Sequence, residues 1–115
     1  MGDVNDPFYL VKEEIQDSAN KVASLCERME RLPEGNSERG KYAGQIASES
    51  ESVFWQLEEL DRATAMAEQD FRRFKVDANE LASRKRWTAA TRATVEKVNA
   101  KAKGVLDARK ARAGA

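Results

Sequence analysis

The chain has 115 residues, 41% apolar and 35% charged, with a formal net charge of zero, which fits one small domain. It has no histidine and a single cysteine, Cys26, so the usual general base, the commonest zinc ligand and any internal disulfide are missing. No run approaches the roughly 20 apolar residues that cross a bilayer, and no charged-then-apolar signal peptide opens the chain. Adjacent carboxylates such as Glu13-Glu14 and Glu58-Glu59 diverge by about 100° on a helix, which suits solvation better than acid–base work. The chain therefore reads as a helical non-enzyme without cofactor or metal, with Cys26 as a core thiol and the cytosol as its natural compartment.

The zero net charge conceals a split. Residues 1–70 carry 16 acidic and 7 basic side chains, a net −9, whereas residues 71–115 carry 4 acidic and 13 basic, a net +9. Two uses follow: pairing of the last helix with the first two, or a basic face turned to acidic partners or anionic lipid. Arg84-Lys85-Arg86 and the basic tail raise nucleic acid as a partner, but the acidic half on the same body opposes it.

Residues 1–5 are expected to stand outside the fold as a disordered N-terminus. A first helix is expected over 6–32, with Asp6 as N-cap and Pro7 at the first helical position, where its missing amide costs nothing. Phe8, Val11, Ile15, Val22, Leu25, Met29 and Leu32 share one stripe, with Ser18 as the exception, and Pro33, Gly35 and Asn36 stop it. A second helix is expected over 37–69, with Tyr42, Ile46, Val53, Leu57, Leu60 and Ala67 on one face. Gly40 and Gly44 each cost about 1 kcal/mol relative to Ala in a helix interior, so its first turns are expected to fray.

The third helix, expected over 77–106, opens on a capping box. Asp77 can accept from an orphan first-turn amide while Glu80 reaches back to the amide of Asp77. Its stripe of Leu81, Thr88, Thr91, Val95, Val98, Ala102 and Val105 is the most polar of the three, and Arg84 lies inside it. Residues 107–115 hold no large apolar side chain and read as a frayed basic tail or the start of a linker. Each helix would run about 40 Å at 1.5 Å per residue. One stripe per helix needs two neighbours to cover it, so the expected fold is all-α, an antiparallel up-down-up three-helix bundle over 6–106.

That order gathers Phe8, Tyr9, Lys12, Phe71, Phe74, Arg84, Lys85, Arg86 and Trp87 at one end. Tyr9 points about 160° from its stripe, Trp87 about 60°, and Trp55 lies nearly opposite its own. Half-buried packing is expected for Trp87, a carboxylate partner from the first two helices for Arg84, and free side chains for Lys85 and Arg86. An exposed Trp55 would be a partner anchor; helix rotation or a folded-back terminus would bury it instead. The candidate partner-binding residues are thus Phe8, Tyr9, Lys12, Arg84, Lys85, Arg86, Trp87 and, on a separate face, Trp55. Their mixed basic and aromatic character suits an acidic-apolar peptide.

Three stretches also carry a family likeness. Phe74-Lys-Val-Asp-Ala-Asn-Glu-Leu-Ala-Ser-Arg-Lys-Arg-Trp-Thr88, Asp6-Pro-Phe-Tyr-Leu-Val-Lys-Glu-Glu-Ile-Gln16 and Val53-Phe-Trp-Gln-Leu-Glu-Glu-Leu-Asp61 resemble the N-terminal domain of the syntaxin-6 group of SNAREs, nearest its plant, syntaxin-61-type branch. One departure is Asp70-Phe-Arg-Arg-Phe74, where relatives often carry Pro shortly before the third helix. The resemblance implies a regulatory docking domain of a Qc-type SNARE at the cytosolic face of trans-Golgi network and endosomal membranes. It implies protein partners: a tethering-complex subunit, other SNAREs or their regulators. The SNARE helix and C-terminal membrane anchor of that family are not in this chain, so the isolated domain is expected to be soluble and monomeric. The runner-up reading is a membrane-surface or scaffold bundle that binds anionic lipid through its basic third helix.

Overall fold

The computed structural model describes residues 7–114. The stretch 1–5 and the expected cap at Asp6 lie outside the described residues, as do the side chains of Phe71 and Phe74. Helix α1 spans Phe8–Arg31, α2 spans Ser37–Gln69, a one-turn α3 spans Phe71–Phe74, and α4 spans Ala78–Gly114. No strand occurs among the described residues.

Cross-helix ion pairs fix the direction of each long helix. Lys85 with Glu68 at 2.8 Å and Arg92 with Asp61 at 2.7 Å run α4 antiparallel to α2, and Lys21 with Glu49 at 3.4 Å joins α1 to α2. Tyr9 with Glu80 and Lys101 with Glu30, the latter at 3.1 Å, run α4 parallel to α1. The result is the expected up-down-up three-helix bundle, 60 Å long and about 20 Å across (22 × 19 Å). These pairs also show how the two charged halves meet: α4 cations sit on carboxylates of α1 and α2. Solvent-exposed pairs of this kind contribute about 0–1 kcal/mol each, so they select the register more than they hold the bundle together.

The core divides into two clusters along the axis. Phe8, Ile15, Val53, Leu57, Leu60 and Val95 fill one end, with Trp87 and Phe54 packed on the outside. Val22, Leu25, Cys26, Met29, Ala43, Ile46 and Ala102 fill the other. Between them the α2 stripe carries Ser50, fully buried, whose hydroxyl finds no hydrogen-bond partner among the described residues. Ser18 on α1 stands at the same break in its own stripe, so the seam narrows through small polar side chains at mid-length.

Short side chains set the helix ends. Asn36 Oδ1 accepts from Glu38 N at 2.9 Å, and the preceding turn uses Gly35 at φ 88, a left-handed conformation that glycine adopts at no steric cost. Asp70 Oδ1 accepts from Arg73 N at 3.3 Å to start α3, Lys75 at φ 54 ends it, and Asp77 Oδ1 accepts from Glu80 N at 2.8 Å to start α4. Asp70-Phe-Arg-Arg-Phe74 therefore closes one capped helical turn. Pro7 occupies the N-cap of α1 instead of its first helical position, its carbonyl accepting from Val11 N at 3.1 Å.

Two expectations differ from the structure, for a shared reason. The first turns of α2 are regular from Ser37, and α4 continues to Gly114, beyond the expected end at 106. Gly40 is buried beneath Arg109: a Cβ there would overlap the arginine side chain. The glycine read as a weakness thus gives α4 a path along α2. The Ala, Arg and Lys residues of the last turns have high intrinsic helix propensity.

Candidate docking site

The start of α1 and the start of α4 meet at one end of the bundle because the two helices are parallel and adjacent. Phe8, first in α1, is buried at 2% exposure, while Tyr9, 100° further round, is 53% exposed. Their rings meet edge to face at 5.1 Å between centroids. Arg84 reaches across from α4 and lays its guanidinium over Phe8 at 4.4 Å and Tyr9 at 5.4 Å. Lys12, one turn along α1, holds Nζ 5.5 Å from the Tyr9 centroid and 5.2 Å from that of Trp87. Two cations are thereby layered among three aromatic rings, an arrangement favoured by the negative face of each ring.

Arg84 is only 5% exposed, and a buried charge requires compensation. Its described carboxylate partner is Glu80, one turn earlier on the same helix: Nε donates to Glu80 Oε2 at 2.9 Å. Glu80 can serve because i and i+4 side chains share a helix face. Tyr9 also donates its hydroxyl to Glu80 Oε2. That hydrogen bond, then partial desolvation and the negative charge of Glu80, raise the phenol above its ordinary value.

The residues selected from the sequence separate into three groups. Phe8, Tyr9, Lys12, Arg84 and Trp87 form one continuous cluster, with Trp87 half-buried. Lys85, expected free, pairs with Glu68 of α2, whereas Arg86 is exposed with no ion pair among the described residues. Trp55 stands apart, 63% exposed on the outer face of α2. Three members escaped sequence reasoning. Glu80 was assigned only to the helix cap, Met66 is 55% exposed, and Leu10 is 71% exposed. Met66 had a readable signal: it follows Trp55 by three helical turns, about 16 Å along the same outer face, with the Glu59–Arg62 pair between them. No described helix is long and apolar enough to cross a membrane, and no cluster of metal-ligating side chains occurs among the described residues.

The chain is thus a three-helix bundle with a layered cation–aromatic end and exposed apolar side chains on α1 and α2. The chain belongs to the family described as Syntaxin 6/10/61, N-terminal, whose sequence model matches residues 6–99. It is 37% identical over 106 residues to Syntaxin-61 of Arabidopsis thaliana, covering 92% of this chain and 42% of the relative. It is 32% identical over 97 residues to Syntaxin-6 of Rattus norvegicus, covering 80% and 38%, and 26% identical over 100 residues to Syntaxin-10 of Homo sapiens, covering 83% and 40%. The chain thus spans about two fifths of the length of these curated relatives.

Proposed function

We propose that this chain is the N-terminal regulatory docking domain of a Qc-type SNARE acting in vesicle traffic between the trans-Golgi network and endosomes. In this reading it recruits a tethering-complex subunit, another SNARE or a SNARE regulator, and membrane attachment comes from a C-terminal anchor outside the chain. Membership of the syntaxin 6/10/61 N-terminal family supports the assignment. The observation that carries the docking site is the cation–aromatic layer of exposed Tyr9 with half-buried Lys12 and Trp87 over the buried Phe8 and Arg84. Lys12 offers a charge for an acidic side chain while the rings offer apolar area, so an acidic-apolar peptide, helical or extended, fits this end. Arg86 widens its basic rim, and the Trp55–Met66 face of α2 offers separate anchors. Lys85, bound to Glu68, becomes available only if that surface pair opens.

The reading in which the basic last helix binds anionic lipid is weakened by a specific observation: Lys85, Arg92 and Lys101 of α4 are already engaged by Glu68, Asp61 and Glu30. Binding of the domain to an acidic-apolar peptide, measured by calorimetry, should weaken at least about tenfold in Trp87→Ala and in Lys12→Glu with helicity intact, a loss ordinary for an interface anchor. Unchanged peptide binding in both variants would remove this docking site, and flotation of the domain with anionic liposomes in the absence of a protein partner would favour the lipid reading.

A further inference from the structure

The last helix outlasts the first. Lys101 sits level with Glu30, one residue before α1 ends at Arg31, so the last turns of α4, to Gly114, run on past the end of α1. The third position of the bundle is open there. It forms a groove of about 520 Å³ between α4, the Gly35 turn and the first turn of α2, within the roughly 300–1,000 Å³ of small-ligand sites. Its apolar lining comes from Met29, Val105 and Ala108.

The rim is cationic. Arg39, Arg109 and Arg112 line the groove, and none of the three has an ion pair among the described residues. Arg39 Nε is also shielded from solvent without a hydrogen-bond acceptor. Of the two lining carboxylates, Glu30 is neutralised by Lys101, leaving Glu34. The positive end of the α2 dipole points to the same place. Guanidinium groups bind carboxylates through two parallel hydrogen bonds, so three unpaired arginines around an apolar lining match carboxylates that flank an apolar side chain.

We propose that this groove is a second docking site, occupied by an acidic peptide segment of a protein partner with an apolar side chain between its carboxylates. Charge complementarity selects the acidic segment, and concavity selects a peptide over a bilayer: Arg39 and Arg109 line a recess, and a flat membrane surface meets projecting cations instead. The site lies at the opposite end of the bundle from Phe8 and Trp87, so it stands or falls independently of the docking site there.

The test uses the whole chain and a fluorescein-labelled Glu-Asp-Leu-Asp-Glu peptide, with Gln-Asn-Leu-Asn-Gln as the uncharged control. Anisotropy should show saturable binding of the acidic peptide only, and amide shifts should centre on Gly35 and Gly104. Affinity should fall at least about tenfold in Arg39→Glu/Arg109→Glu and when salt rises from about 0.05 to about 0.5 M, yet stay unchanged in Lys12→Ala/Trp87→Ala. If circular dichroism shows that the reversed-charge pair misfolds, Arg39→Gln/Arg109→Gln replaces it. Equal binding of the uncharged peptide, no saturable binding, indifference to the arginine variants, or shifts centred on Tyr9 and Trp87 would each overturn the proposal. So would binding to phosphatidylserine vesicles that the acidic peptide fails to displace, which would transfer the arginines to a membrane surface.

Discussion

The two ends of the bundle use arginine in opposite ways. At the start of α1 and α4, Arg84 is buried, bonded to Glu80 and stacked on Phe8 and Tyr9. At the far end, Arg39, Arg109 and Arg112 border an open groove without ion pairs among the described residues. Burial explains the difference. A guanidinium taken out of water needs an anion and a ring face, or its desolvation is left uncompensated. Arg109 and Arg112, left beside water, keep their hydration and remain available. The same residue type is therefore structural at one end and open to a ligand at the other.

Mutations at the two ends should separate these roles. Glu80→Ala is expected to have the largest effect, lowering stability by about 2 kcal/mol because Arg84 loses its described carboxylate; the 33% exposure of Glu80 keeps the loss below that of a fully buried pair. Urea denaturation measures it, and a loss below about 0.5 kcal/mol would mean that Arg84 is held by the rings and other contacts alone. Gly40→Ala should come next. The new methyl displaces Arg109 and gains up to about 1 kcal/mol of helix propensity. The expected sign is therefore positive in a background of Arg109→Ala and close to zero in the native chain.

Tyr9→Phe should cost less than about 1 kcal/mol, since it removes one exposed hydrogen bond. Its pH signature is more telling. The Tyr9 phenol is raised in the folded chain chiefly by its hydrogen bond to Glu80, so its stabilisation is fully present below the unfolded value near 10 and is lost as pH rises through the folded value. Alkaline titration of stability should fall more steeply for the native chain than for Tyr9→Phe. Arg109→Ala should change stability least, within about 0.5 kcal/mol, consistent with an arginine whose role is not structural. Acrylamide quenching adds a readout without mutation: Trp55 should quench freely while Trp87, packed beside Lys12, is shielded. Two equally shielded tryptophans would remove Trp55 as an exposed anchor.

Much of the architecture was legible in the chain because it depends on local periodicity and short-range hydrogen bonding. The stripe of Ile46, Val53, Leu57 and Leu60 became the buried face of α2, and Asp77 accepts the first-turn amide of Glu80 as its spacing implied. Phe8, Tyr9, Lys12, Arg84 and Trp87 were placed together from helix order alone. Their pairings were not. Glu80 looked committed to the helix cap, yet its carboxylate receives Tyr9 and Arg84, and Lys85 found Glu68 across the helix interface. Charge along a sequence says that partners exist, whereas their choice depends on axial register and side-chain reach.

By itself the sequence determined three amphipathic helices, their order, their starts to within a few residues, and the family likeness of three separated stretches. Tertiary structure alone decided that α4 runs on to Gly114, that Gly40 makes room for Arg109, and that the third helix position stands open beyond Arg31. The reason is physical. Helix periodicity and caps act over three or four residues and are written locally, whereas a groove exists only where helices of unequal reach lie side by side.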